Sequence, residues 1–418
     1  MEKVGSKQAP LAPYRFLELA DEKGAYAGRI LADLGAEVIK IEKPGGDSLR
    51  DIGPFLGDVP HQERSLQWFV MHANKKSITL NIETEDGRLL FKDLVKEADG
   101  VIESFPPGFL RDKGLDYDSL CRVNPALVMA SISPYGQEGP YKSYKGSDIA
   151  VTAMGGLMYI TGEPGRPPLR ISVPQAYCHA GTHAVIAILY ALFKRDKNGQ
   201  GEYIDVSAQA AIYPCQQFAP IFWDNLRVLE KRSGQLRRRG NIIQRHTWPC
   251  KDGYVCWALL EGPGFSGGLK KIIEWMKEEG MAQGLSEFDT QGFSMQEIEQ
   301  PEIDRIEKVI GDFFLAHTKN ELYKEGGIKR KLPLSPVHDI PDMITDPQLQ
   351  QRDSWKSISH QELNAEIIYP ARLWKSSACS PEINRRAPLI GEHNKVIYKG
   401  ELGLTSEDLV NLKSAGVI

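Results

Sequence analysis

The sequence predicts an α/β fold built on an open, mostly parallel sheet. Strand-like and helix-like segments alternate through the first third of the chain. The alternation resumes where the apolar run 184–193 leads through a polar turn into the strand-like YIDVS at 203–207. After about residue 225 the pattern changes, which predicts a smaller domain inserted into the larger one.

The elements follow in order. Residues 14–19 read as a strand, and AYAGRILADL at 25–34 has the apolar spacing of a helix. EVIKI at 37–41 is a second strand and SITLNI at 77–82 a third. Residues 84–98 are helical in pattern, with Thr84, Glu85 and Asp86 placed to offset the positive end of the helix dipole. Segments 101–103, 118–123 and 127–133 continue the alternation, and KRDKNGQG at 194–201 is a polar turn. Beyond it lie a basic run at Arg237–Arg239, a glycine-rich GPGFSGG at 262–268, and a loop followed by an acidic helix at 286–299. Residues 226–330 read as the inserted domain, leaving 1–225 and 331–418 as two parts of one large domain. The chain shows no internal repeat and no low-complexity tract.

Composition narrows the function classes. The 418 residues carry 51 Lys+Arg against 55 Asp+Glu, a balance that creates no global field for a nucleic-acid backbone, so no nucleic-acid partner is expected. With 36 aromatic residues the chain is not globally disordered. Six cysteines without a CxxC pair predict neither a zinc site nor a disulfide scaffold. The first residues lack the apolar core of a signal peptide, and the longest apolar run has ten residues, too few to span a bilayer. The expectation is a cytoplasmic protein with reduced cysteines and no membrane partner.

The motifs are sparse. The strand–turn–helix at 17–34 carries DEKGAYAG, with Gly24 and Gly28 four apart, so the GxGxxG of dinucleotide binding is absent. Lys23 beside this turn suits a phosphate-bearing ligand, while the two glycines equally suit close helix–sheet packing. His179 and His183 share a helical spacing in HAGTH, without the acid of a metallopeptidase HExxH, so no metal site is expected. No GxSxG elbow and no GxxxxGK[ST] loop occurs. NKKS at 74–77 puts two lysines at a loop, either solvated surface or a phosphate site. The residues alone lead to a cytoplasmic α/β protein with room for a phosphorylated ligand.

Several strings together resemble the class III CoA-transferases, the family of formyl-CoA transferase, carnitine CoA-transferase and α-methylacyl-CoA racemase. They are AGRILADLGAEVIKIEKPGGDSLR at 27–50, NKKSITLNI at 74–82 and ESFPPGFLRDKGLDYDSLCRVNPALV at 103–128. SPYGQEGPY at 133–141, GQGEYIDVS at 199–207, SPVHDIPDMITDPQ at 335–348 and APLIGEHN at 387–394 complete the order. The resemblance implies a large open Rossmann-like domain built from both chain ends, a smaller middle α+β domain, and two subunits threaded as interlocked rings. It implies acyl-CoA as substrate and no permanently bound cofactor. Carried over by position, it assigns CoA contacts to Lys23 and Gly24 in the first turn, Lys43 after the second strand, Asn74 and Lys75 in the NKxS loop, and Ser104 and Phe105 in the family's Asn-Phe pair. Lysines meet phosphates, and turn amides with an aromatic face meet the rest. A family arginine downstream appears as Asp112, with Arg111 beside it.

The departure lies at the nucleophile. Family transferases carry an Asp four residues before a glycine that corresponds to Gly181, and that position holds Tyr177. No Asp or Glu occurs from Pro164 to Arg195. The family carboxylate attacks the donor thioester to give a mixed anhydride, and the freed thiolate then attacks the aspartyl carbonyl. Tyrosine has no carbonyl and cannot carry CoA as a thioester. The racemase pair is also missing, because the GHD triplet reads Gly146-Ser147-Asp148. The family glycine loop has no clear equivalent at 241–247.

The resemblance therefore implies a non-nucleophilic subunit whose homologous partner retains the Asp. This resembles the succinyl-CoA:benzylsuccinate enzymes of anaerobic aromatic degradation, with succinyl-CoA as donor and an aryl-substituted succinate as acceptor. Two alternatives stay open: a self-sufficient homodimer using Glu163, Asp148 or a middle-domain acid, and a CoA-binding protein without turnover.

Overall fold

The computed structural model describes residues 9–216, 218–239, 242–259, 267–288, 298–379 and 381–418. Six strands form one parallel sheet: β1 (Arg15–Glu18), β2 (Glu37–Glu42), β3 (Lys76–Thr79), β4 (Gly100–Glu103), β5 (Val128–Ser133) and β6 (Glu202–Ser207). Their order is β3-β2-β1-β4-β5-β6, the doubly wound arrangement, and it reverses between β1 and β4. β4 and β5 are buried on both faces, as strands covered by helices on each side must be.

The helices are α1 (Ala25–Asp33), α2 (Leu66–His72), α3 (Glu85–Lys96), α4 (Tyr117–Leu120), α5 (Asp148–Met154), α6 (Ala176–Asn198) and α7 (Ala208–Ile212). Thr84 caps α3, its hydroxyl accepting the Gly87 N–H at 3.1 Å, in line with the sequence expectation. The polar stretch 194–201 is not wholly a turn. α6 runs through it to Asn198 and stops at Gly199, whose φ of 72° is the left-handed conformation that ends helices. Its polar residues are the solvated last turn of a long helix. α6 is long and apolar enough to cross a membrane by composition. Half of that apolar window is buried within the fold, where Gly181 lets α6 approach α1 so closely that a Cβ there would lie 3.0 Å from the Ala27 nitrogen.

The chain divides into two units. The first comprises residues 1–158, 170–221 and 347–418, and so draws on both chain ends. Its C-terminal part adds a hairpin of β12 (Trp355–His360) and β13 (Ala365–Pro370), after which the chain returns to the sheet. There the Trp68 indole donates to Pro388 O at 3.0 Å and the Tyr398 hydroxyl to Thr79 O at 2.7 Å.

The second unit comprises residues 159–169 and 222–346. It holds the hairpin β7 (Leu236–Arg239) and β8 (Ile242–Arg245), and an antiparallel sheet of β9 (Thr247–Cys250), β10 (Gly253–Cys256) and β11 (Ser335–Pro336). Its core centres on Trp248, Trp257, Trp275, Phe313 and Phe314, with Trp248 meeting Phe314 edge-on at 5.5 Å. Most of the glycine-rich stretch at 262–268 and of the segment 286–299 lies outside the described residues.

Candidate functional site

A doubly wound sheet leaves a crevice beyond the C-terminal ends of its strands where the order reverses. Here that point lies beyond β1 and β4. Asp21 shapes the turn after β1 by accepting the Lys23 N–H at 3.1 Å, and its carboxylate pairs with the Lys23 ammonium. Across the crevice the Ser104 hydroxyl donates to Asp21 Oδ1 at 2.7 Å and accepts the Asp21 N–H at 2.9 Å. Gly24 occupies the N-cap of α1, where a Cβ would approach Ala20 Cβ to 2.6 Å. Phe105 stacks on Phe109 at 4.5 Å. The structure thus brings Lys23, Gly24, Ser104 and Phe105 to one edge of the sheet.

Beside them, against β5 and β6 next to the end of β4, opens a cleft of about 300 Å³. Its floor includes Glu103, Ser131 and Tyr203, and Arg111 and Lys142 stand at its rim. The Glu103 carboxyl is 4% exposed and accepts the Phe105 N–H at 2.7 Å. Burial raises its pKa to about 7, partly opposed by its bond to Ser131.

Lys43 follows β2, so it leaves the sheet on the same C-terminal side, and it is exposed. Asn74 and Lys75 enter β3 level with the first half of β1 and β2, and the Lys75 side chain extends from there toward the end of β1. Both are buried. Asn74 donates to Asp33 Oδ1 and Glu382 O at 2.7 Å each and accepts the Asn384 and Arg385 N–H groups at 2.8 and 3.1 Å. Lys75 reaches Glu18 at 2.7 Å and Ala25 O at 2.8 Å. Burial lowers its pKa to about 8 despite Glu18. The physical reason is Gly28, which leaves space for the Glu18 carboxylate beneath α1 and gives the lysine a buried partner. Lys75 also backs a second cleft of about 420 Å³ with Arg385, Arg386 and His393.

Tyr177 sits in the first turn of α6, 5% exposed, with its hydroxyl donating to Gly146 O at 3.1 Å. Burial first, then the nearby charges of Glu22, Asp21 and Asp148, raise its pKa well above the usual phenol range. A phenolate there is strongly disfavoured. Asp148 Oδ1 accepts the Gln175 and Ala176 N–H groups at 2.8 and 2.7 Å and so satisfies the open end of α6. Glu22 is exposed and has neither a hydrogen bond nor an ion pair among the described residues. Desolvation of its carboxyl first, then the neighbouring Asp21 charge, raise its pKa. Glu163 belongs to the second unit. Among the described residues no three His, Cys, Asp or Glu side chains converge to hold a metal, and His179 Nε2 lies 3.7 Å from Cys215 Sγ.

Sequence reasoning missed Glu22 and Glu103. Glu22 was hidden in a turn read for its glycines and lysine. The signal for Glu103 was an acid ending the apolar strand GVIE, directly before the Ser-Phe pair.

A doubly wound unit with basic and aromatic groups beyond its strand ends defines an α/β protein suited to a nucleotide-bearing ligand. Residues 22–394 match CoA-transferase family III. The chain is 32% identical over 408 residues, 97% of each chain, to the BbsE subunit of succinyl-CoA:(R)-benzylsuccinate CoA-transferase from Thauera aromatica. It is 31% identical over 414 residues, 98% of each chain, to succinyl-CoA–D-citramalate CoA-transferase from Chloroflexus aurantiacus. Among solved structures, a CAIB/BAIF family protein from Brucella suis matches with a TM-score of 0.81 and 28% identity, over 94% of this chain and 99% of that one. The chain belongs to CoA-transferase family III, whose chemistry takes acyl-CoA as substrate.

Proposed function

We propose that this chain is the non-nucleophilic subunit of a heteromeric CoA-transferase. Its homologous partner carries the catalytic Asp and moves CoA from succinyl-CoA to a carboxylic acid of the aryl-succinate kind. The observation that carries this reading is Tyr177. The position expected of the nucleophile holds a buried phenol on Gly146 O, in a stretch with no carboxylate from 164 to 195. A phenol can be acylated but offers no carbonyl carbon on which CoA could be held. The Thauera aromatica relative is itself a subunit and acts with succinyl-CoA and benzylsuccinate. A partner also fits the surface of α6, where Ile186, Leu189, Tyr190 and Phe193 form one helical face and three of them are 60% exposed or more.

In this reading CoA lies along the C-terminal edge of the sheet. Lys23 faces phosphate, the Gly24 turn allows close approach, and Phe105 offers an aromatic surface beside the 300 Å³ cleft. The test is co-expression with a homologous chain that retains the Asp, followed by assay of transfer from succinyl-CoA. Activity of the co-purified pair and none of this chain alone is expected. Turnover by this chain alone overturns the reading.

The competing reading is a relocated carboxylate, and Glu22 would serve it best. It lies in the electrostatic surroundings of Tyr177 and is unpartnered among the described residues, whereas Asp148 is held by the α6 amides.

A further inference from the structure

The cleft beside β4 and β5 poses an electrostatic problem for a polyanionic ligand, because a carboxyl group forms part of its floor. Glu103 is nearly fully buried and makes no ion pair among the described residues. None of the cations around it pairs with it among the described residues. From the first turn, Lys23 pairs with Asp21. From the segment after β4, Arg111 lies 3.7 Å from Asp116, and Tyr117 and Asp118 stand beside it. From the loop after β5, Lys142 shares the rim with Glu138. On the flanking strands the groups bonded to Glu103 or to its partner are neutral: the Tyr203 hydroxyl on β6 donates to Ser131 Oγ on β5 at 3.1 Å, and Ser131 bonds Glu103. Asp205 on β6 accepts the Gln137 N–H at 2.8 Å and adds negative charge to the same edge.

We propose that Glu103 is a ligand-binding residue of this cleft that acts as a neutral carboxylic acid, so that the cleft admits the adenosine-phosphate end of an acyl-CoA only while Glu103 holds its proton. The inference rests on the reading of this edge as the CoA site. A buried carboxyl without a counter-ion favours the neutral form. The neutral acid offers both a donor and an acceptor to a heteroaromatic edge or a phosphate oxygen, whereas the carboxylate offers acceptors only and repels phosphate. Its rise to about 7 puts the change within the working range of a cell.

The experiment is calorimetric titration of the full chain with CoA, and separately with adenosine 3′,5′-bisphosphate, from pH 6.0 to 8.5. If only the protonated form binds, wild-type affinity falls about tenfold per unit above pH 7, about 30-fold in all. Glu103→Gln keeps a donor and an acceptor at every pH and is expected to remove that fall, while ligand ionisation moves both proteins alike. Ser131→Ala removes a bond that favours the carboxylate, and shifts the midpoint of the affinity loss to higher pH. Parallel pH curves for wild type and Glu103→Gln, or an unmoved midpoint in Ser131→Ala, overturn the inference. Absence of CoA binding by wild type at every pH overturns the site reading beneath it.

Discussion

Gly28→Ala tests the buried ion pair that holds Lys75 inside the fold. A methyl at Gly28 would lie 1.7 Å from Glu18 Oε2, 2.8 Å from its Cδ and 3.1 Å from Lys75 Nζ. The carboxylate cannot swing aside into solvent, because the Glu18 and Lys75 side chains are 0% exposed, and their 2.7 Å contact is the one the methyl invades. Breaking a buried pair costs about 3–5 kcal/mol, since it leaves an uncompensated charge. Alanine in place of glycine within a helix returns about 1 kcal/mol. The net expectation is a loss of about 2–4 kcal/mol in unfolding free energy, read from urea titrations of the matched pair at pH 7. In a Glu18→Ala/Lys75→Met background the methyl meets no carboxylate, and the same substitution is expected to be neutral or mildly stabilising. Equal stability of wild type and Gly28→Ala would refute the reasoning. So would the same loss in both backgrounds, because it would deny the coupling.

Three further outcomes follow from the same contacts. Glu103 binds its proton at about 7 when folded, against an ordinary 4.5, so its stabilising contribution is full below 4.5 and lost as pH rises through 7. The stability of wild type relative to Glu103→Gln should fall by at most about 3 kcal/mol from pH 4.5 to 8, and a flat difference contradicts this. Tyr177→Phe removes one hydroxyl bond to Gly146 O and should leave transfer by the co-assembled pair within about fivefold of wild type. A loss of about a thousandfold would give the phenol a chemical role. Asn74→Ala strips partners from the Asn384 and Arg385 N–H groups at a residue with φ of 67°. It should cost about 3 kcal/mol and open residues 382–385 to proteolysis, and a cost near 1 kcal/mol would show the clamp to be dispensable.

Strand and helix positions were legible where burial follows a simple period. β1, β2, β4 and β5 show it, because short apolar runs between helical segments have few alternatives. The end of α6 was not legible: a charged string carrying Asn and Gly reads as a turn whether it closes a helix or follows one. The candidate site was legible in part. Lys23 and Gly24 declared themselves by following a strand, and Ser104 and Phe105 by the motif they occupy. The fate of Lys75 was hidden because two lysines in a loop read as solvated surface. Burial came from Glu18 and Gly28, 57 and 47 residues away in sequence. Only the parallel register of β1 and β3 against β2 brings that acid within reach of the ammonium. Glu103 was hidden for a similar reason, since neither its burial nor its lack of a cation is a property of the strand that carries it.

The central claim is that this chain contributes no nucleophile. Hydroxylamine added to the co-purified pair during turnover with succinyl-CoA converts an enzyme-bound acyl thioester or anhydride to a hydroxamate, and intact-mass and peptide analysis of each subunit locates it. The account predicts modification of the partner's Asp and none on this chain. A hydroxamate on this chain, at Glu22 or any other acid, would contradict it.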